Sequence, residues 1–306
     1  DGKEKRIGVT RIHIEEDAGK LLHNDNFAGS LVDFNRCGVP LIEIVSEPDM
    51  RSAQEAKVYL ETIRSILQYL DISDCKMQEG SIRCDVNVSV MPKGSDVFGT
   101  RCEMKNINSF SGAVRAIEFE ANRQIQILKE GGTITQETRR WDDSKGKSFT
   151  LRTKEDAHDY RYFPEPDLLT IVLDDSYIDT VREQIPELPN VKISRYLREF
   201  GLSQVDASLL VEDPEKAKLF EDTTAKKQCS PKSVCNWILG DISKRMNEKM
   251  LPLSEINISA ESLSELLALI ESGKISNATG KTVFEEMLVS DKMPSIIVKE
   301  KGFIQI

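Results

Sequence analysis

The 306-residue chain is poor in several things that would simplify its reading. It has three histidines and two tryptophans, and aromatics make up 6% of the residues. No run approaches the ~20 apolar residues of a membrane span, and no signal-peptide pattern opens it. The six cysteines, Cys37, Cys75, Cys84, Cys102, Cys229 and Cys235, form no CxxC pair. A zinc ribbon and a dithiol redox motif are therefore unsupported, and free thiols that serve as small packing residues are the better expectation. Phosphate loops are missing too. Gly280-Lys281-Thr282 and Gly146-Lys147-Ser148 end like a GxxxxGK[ST] loop, but Ile275 and Trp141 stand where its first glycine belongs. No GxGxxG follows a strand-like run. His23 and His158 have no recognisable serine or cysteine motif beside them, so covalent catalysis by a triad is not indicated.

What the chain has is charge: 30% charged residues, 39% hydrophobic residues and a formal net charge of −10. Residues 191–306 carry 16 Lys+Arg against 17 Asp+Glu, and residues 1–190 carry 25 against 34, so the excess of acid lies in the first part. An acidic protein is a poor generic polyanion binder, so any nucleic-acid contact is expected to be local and shape-dependent. The chain has no initiator Met and stops at GFIQI, which reads as a fragment of something longer.

Periodicity divides the chain in two. Residues 7–16 read as a strand with partial alternation and 39–47 as another, and 82–90 and 100–107 alternate cleanly with period two, as half-buried strands of a largely antiparallel sheet do. In 82–90 one face carries Ile82, Cys84, Val86, Val88 and Val90. The other carries Arg83, Asp85, Asn87 and Ser89, and the next strand adds Arg101, Glu103 and Lys105. Two helices interrupt the strands. One starts near Ser52, with Glu55 three positions on in a capping-box pattern, and turns Ala56, Leu60, Ile63, Ile66, Leu67 and Leu70 inward. The second spans about 112–129 with Val114, Ile117, Ala121, Ile125 and Leu128 inward, and Gly131-Gly132 stops it. After Pro189 seven segments (191–200, 203–211, 214–226, 231–249, 259–272, 276–290, 293–301) show helical periodicity, with Ser259 and Ser276 as N-caps and Gly273 as a stop. The expected fold is α+β, with a domain of sheet and flanking helices over 1–188 and an all-α domain over 189–306. The segment DYRYFPEPDL, Asp159–Leu168, stands apart. Its two prolines exclude helix and central strand and make a stiff, aromatic, charged elbow.

The chemistry-bearing residues gather in the first part. His13, Glu15, Glu16 and Asp17 cluster at the end of the first strand, with Glu43 and Glu47 on another. Hard divalent cations take carboxylate oxygens, often one or two from protein and the rest from water and phosphate. Strand alternation puts His13 and Glu15 on the face opposite Glu16, so the sequence alone does not choose between the two glutamates. In the second part, Lys226, Lys227, Lys232, Lys244, Arg245 and Lys249 around Trp237 offer either a phosphate-binding patch or an ordinary solvated helix face.

Several long words in order carry a family resemblance: KRIGVTRIHIEEDAGK (5–20), LVDFNRCGVPLIEIVSEPD (31–49), MQEGSIRCDVNVS (77–89), KNINSF (105–110), QETRR (136–140), DYRYFPEPDL and IPELP (185–189). Together they resemble the bacterial-type B subunit of tRNA-dependent amidotransferases. The resemblance implies a cradle domain, then a helical domain and the start of a tail. It implies ATP- and Mg2+-dependent phosphorylation of the side-chain carboxylate of Glu-tRNA(Gln) or Asp-tRNA(Asn), followed by amidation. The ammonia would be channelled from a glutaminase A subunit, with a small C subunit strapping the two together. A cytoplasmic setting in a bacterium follows, or an organellar one. Carried onto this chain, the second glutamate of HIEEDAGK, Glu16, and the glutamate of PLIEIVSEPD, Glu43, are the expected metal ligands and catalytic residues. Arg83, Asp85, Asn87, Lys105, Asn106 and Asn108 are candidates for the nucleotide or the aminoacyl end. The family's GLEVH-like motif and zinc-binding region have no counterpart here. The rival reading is a non-catalytic scaffold that binds tRNA.

Overall fold

The structure is a computed structural model that describes residues 4–23, 29–153, 166–167, 169–290 and 292–303. The elbow Asp159–Leu168 lies almost wholly outside the described residues. By contacts the chain divides into two units, Asp1–Thr62 with Met77–Arg161, and Ile63–Lys76 with Tyr162–Ile306. Residues 63–76 and 162–188 thus fall with the helical unit, whereas the sequence pattern places a single boundary at 188. Periodicity marks where helices begin, but it does not show which core a helix end packs into.

The first unit opens with strands β1 (Val9–Glu16), β2 (Lys20–His23), β3 (Ser30–Asp33) and β4 (Pro40–Ser46). β1 pairs antiparallel with β4 as a two-stranded ribbon, and β2 with β3 as a second. Helix α1 (Ala53–Tyr69) follows. Its start is close to the predicted capping box. The Glu55 amide donates to the Ser52 hydroxyl at 3.2 Å, while the Glu55 carboxylate takes the Arg51 amide, one residue upstream of the expected partner.

Strands β5 (Cys84–Val88) and β6 (Cys102–Ile107), helix α2 (Phe110–Lys129), and strands β7 (Glu137–Asp142) and β8 (Lys147–Thr153) complete the unit. They form a four-stranded sheet in the order β5-β6-β7-β8, antiparallel except for β6 and β7, which run parallel because α2 carries the chain across between them. The β7–β8 hairpin is not legible as strands in the sequence. Its turn holds Gly146 at φ 59°, so the Gly-Lys-Ser there is turn chemistry.

Helix α2 corrects part of the sequence reading: Ile117 and Ala121 pack half-buried against the core as expected, but the fully buried positions are others. Its buried face is Gly112, Ala113, Ala116, Glu120 and Gln124, whereas Ile125 and Leu128 are exposed. The apolar period points elsewhere because the inward face is small and polar, and its buried carboxylate is paired by neighbours on the same helix. Glu120, fully buried, accepts from Arg123 at 2.8 and 2.9 Å and from the Gln124 amide at 2.8 Å, and Arg139 Nε stands 3.6 Å away. Met104, Trp141, Val88, Ile107, Ala113 and Ala116 form the apolar core of this unit.

The second unit contains α3 (Asp175–Gln184), α4 (Pro189–Phe200), α5 (Gln204–Val211), α6 (Pro214–Ala225), α7 (Pro231–Trp237), a π-helical turn (Ile238–Ile242), α8 (Ser243–Lys249), a 3-10 turn (Leu253–Glu255), α9 (Ala260–Glu271), α10 (Asn277–Val289) and α11 (Pro294–Lys301). All seven expected segments are helical, and the Ser259 and Ser276 hydroxyls cap α9 and α10 as predicted. Helix α3 has no counterpart in the sequence reading. Its apolar residues are exposed and make no core stripe. Trp237 is only 6% exposed and stacks edge-on against Phe284, so it belongs to the core and not to a basic surface patch.

Candidate metal and nucleotide-facing site

Alternation along β1 and its register with β4 decide which acids meet. His13 lies opposite Glu43, Glu15 opposite Leu41 and Arg11 opposite Val45. Directly opposed residues of an antiparallel pair project from the same face, and residues two apart share it. His13, Glu15 and Glu43 therefore occupy one face of the ribbon, and one ligand atom from each lies within 4.8 Å of the others. The imidazole Nδ1 stands 4.0 Å from a Glu15 oxygen. Two carboxylates and an imidazole form a donor set that suits a divalent cation able to complete its shell with water or phosphate oxygens.

Glu16 lies opposite Pro40, in line with the pairs Ile14–Ile42 and Ile12–Ile44, on the other face. The pairing of Glu16 with Glu43 that the resemblance implies is therefore not what the ribbon makes. His13 and Glu15 are an even step apart and Glu16 is an odd step from His13, so the division is unavoidable once the strand is extended. Glu47 is engaged elsewhere, accepting from the Thr10 hydroxyl at 2.8 Å.

Immediately after β1, Asp17 gathers three of the motif segments. Its carboxylate Oδ2 accepts from Arg36 Nε at 2.9 Å and from Arg83 Nη2 at 2.7 Å. Desolvation opposes its ionisation, and Arg83 and then Arg36 outweigh that, holding the carboxyl below the ordinary range. Arg36 Nη1 donates to the carbonyls of Glu79 at 3.2 Å and Gly80 at 3.0 Å. Arg83 is thus committed to Asp17.

The remaining candidates lie on the β5–β6 face. Asn87 is opposite Glu103, and Lys105 bonds Asp85 closely and stands 3.3 Å from Glu103. Desolvation lowers the Lys105 affinity for its proton, but Asp85 and Glu103 more than restore it, so the ammonium is held above the usual lysine value. Thr138 donates to Glu103 at 2.8 Å, and Arg140 lies beside Lys105 in the parallel register. Asn106 leaves the group. It adopts φ 66° and its side-chain amide donates to the Trp141 carbonyl at 2.9 Å, a structural use of the residue type that tolerates the left-handed region. Asn108 is exposed in the turn before α2. Sequence reasoning does not single out Arg36, Thr138 or Arg140. Only strand register and the turn after β3 bring them into place.

A family model described as the GatB/GatE catalytic domain matches residues 1–179, and one described as a GatB domain matches residues 218–306. The chain is 57% identical over its whole length to the B subunit of the aspartyl/glutamyl-tRNA(Asn/Gln) amidotransferase of Caldicellulosiruptor bescii, and 53% and 49% identical to those of Thermoanaerobacter sp. strain X514 and Brevibacillus brevis. It spans 64% of the length of each of these relatives. The catalytic-domain model covers more than half of the residues, so the chain belongs to the GatB/GatE family.

Proposed function

We propose that this chain is part of the kinase and transamidase subunit of a tRNA-dependent amidotransferase, and that His13, Glu15 and Glu43 hold the divalent ion of its phosphoryl-transfer site. The observation that supports the reading is the convergence of an imidazole and two carboxylates on one face of β1–β4 in a member of this family. Mg2+ held there would offset phosphate charge during transfer from ATP.

The substrate is the side-chain carboxylate of a misacylated Glu-tRNA(Gln) or Asp-tRNA(Asn). A carboxylate is a poor electrophile, and phosphorylation supplies it with a leaving group that ammonia can displace. Lys105, with its raised proton affinity, remains an ammonium at neutral pH and offers a fixed positive charge to a phosphate or carboxylate. Asn87 and Arg140 supply hydrogen-bond donors on the same sheet face, where Thr138 holds the Glu103 carboxylate in place. Ammonia would come from a glutaminase A subunit, with a small C subunit completing the assembly.

The test uses the full-length subunit assembled with its partners. Glu43→Gln is expected to abolish amidation while glutaminase activity survives, and Glu16→Gln, on the other face of the ribbon, to be milder. Equal loss of both activities, or loss of neither, overturns the reading. Tight tRNA binding with no ATP-dependent step in the wild type would favour the scaffold.

A further inference from the structure

We propose that Asp17, Arg36 and Gly80 form a positioning clamp that sets the geometry of the His13–Glu15–Glu43 cluster and ties it to the polar face of β5–β6; the proposal rests on the metal reading above. Three observations carry it, each involving groups outside the cluster.

The first is where the clamp grips. Asp17 is two residues beyond Glu15, and its backbone extends the ribbon past the last strand pair: its amide donates to the Val39 carbonyl at 2.9 Å, and its carbonyl accepts from the Gly38 amide at 2.9 Å. The turn that delivers β4, and with it Glu43, is thereby fastened to the end of the strand that carries His13 and Glu15. Arg36 sits inside that turn, and its own carbonyl accepts from the Val39 amide at 3.1 Å.

The second is the reach of Arg36. One guanidinium bonds the Asp17 carboxylate and two consecutive carbonyls, at Glu79 and Gly80. The planar fork makes that three-way contact possible, and a lysine ammonium on a flexible stem does not reproduce it. Arg83, three residues past Gly80, returns to the same Asp17 oxygen. Arg83 is two residues before Asp85, the partner of Lys105. About 7 Å of extended chain therefore separates the clamp from the cluster on one side and from the Asp85–Lys105 pair on the other.

The third is Gly80 itself. It adopts φ 72°, and a Cβ at that position would lie 2.9 Å from Arg36 Nη1. Glycine is required twice, for the backbone conformation and for the close approach of the guanidinium. The words HIEEDAGK, FNRCG and EGSIR meet at this one point, which accounts for residues in them that have no part in holding an ion.

Partners that orient ligands typically change metal affinity about 10- to 100-fold when removed. Mn2+ binding to this chain, followed by electron paramagnetic resonance with Mg2+ as competitor, tests the clamp. Wild type is expected to bind one Mn2+, and Glu43→Gln to lose it. Arg36→Lys and Gly80→Ala, which keep every charge and every ligand, are expected to weaken binding about tenfold. Gly280→Ala in α10 serves as the control for general destabilisation, with melting temperatures measured on all variants. Unchanged Mn2+ affinity in Arg36→Lys and Gly80→Ala overturns the clamp. So does an equal loss of affinity in Gly280→Ala at a matched drop in melting temperature. A wild type that binds no Mn2+, or a Glu43→Gln that binds as well as wild type, overturns the metal reading and the clamp with it.

Discussion

Single residues carry unusual burdens in the first unit, and Glu120 carries the largest. Its carboxylate is fully buried yet charged. Desolvation raises its proton affinity, and hydrogen bonds from Arg123 and Gln124 bring it down past the ordinary glutamate value of 4.5. A folded-state pKa below the unfolded one contributes stability that is complete above pH 4.5 and is lost as pH falls through the folded value. Melting temperature is therefore expected to drop on titration from about pH 6 to about pH 3, and Glu120→Gln is expected to flatten that part of the profile. Glu120→Ala, which takes from Arg123 the carboxylate that receives two of its hydrogen bonds, is expected to cost about 3 kcal/mol by urea denaturation. Cysteines offer a second check. Burial pushes Cys84 up to about 12, and Cys102 and Cys235 up to about 11, while Cys37 is exposed. In the native chain Cys37 is expected to react first with a thiol reagent, and these three only on unfolding.

Helices and strands show where sequence patterns mislead and why. Gly280-Lys281-Thr282, which looks like the end of a phosphate loop, lies inside α10. A Cβ on Gly280 would come within 2.5 Å of the Ile270 side chain on α9. The glycine lets two helices approach, so Gly280→Ala is expected to cost about 1–3 kcal/mol, read as a lower urea midpoint with an unchanged slope. The apolar period of α2 points to Ile125 and Leu128, but the sheet takes the face of Ala113, Ala116, Glu120 and Gln124. A hydrophobicity pattern counts a buried charge as exposed, and here Arg123 and Gln124 of the same helix pair it. Most helices after Pro189 are readable because a Ser, Asp or Pro start signal precedes apolar residues at helical spacing. Strand β7 is not, because ETRRWD places Glu137, Thr138 and Arg139 among its buried residues, and its partner β8 goes unread with it. For the candidate cluster, the sequence offers His13, Glu15, Glu16 and Glu43 but not which of them share a face with Glu43. Alternation separates Glu16 from His13 and Glu15, and the β4 register then assigns Glu43 to the latter pair.

At the scale of the whole chain, the division into units crosses α1. Tyr69, near its end, packs against the helical core with Tyr196 and Phe220 as members of that core. Glu221 fastens the start of the same unit. It accepts from Lys192 at 2.7 Å, Tyr196 at 2.9 Å and Arg195, while Arg195 also grips Glu187 of IPELP at 2.7 Å. Glu221→Ala is expected to destabilise by roughly 2–3 kcal/mol because three donors lose one acceptor. Residues 189–306 expressed alone lack the Tyr69 contact. Adding a peptide of residues 63–76 is expected to raise their melting temperature, and no shift would show that Tyr69 is dispensable to that core. Among the described residues no helix is long and apolar enough to cross a membrane.

The sequence by itself determined the α+β character, the positions of the helices after Pro189, the four alternating strands and the family, because each is written in local periodicity, start signals or long contiguous words. Tertiary structure alone decided that His13 and Glu15, not Glu16, meet Glu43, that Arg36 and Arg83 share Asp17, and that α2 buries a charged face. Those choices depend on register and on pairs of opposite charges brought together from distant positions, and a linear pattern holds no record of which distant residue will stand across from which.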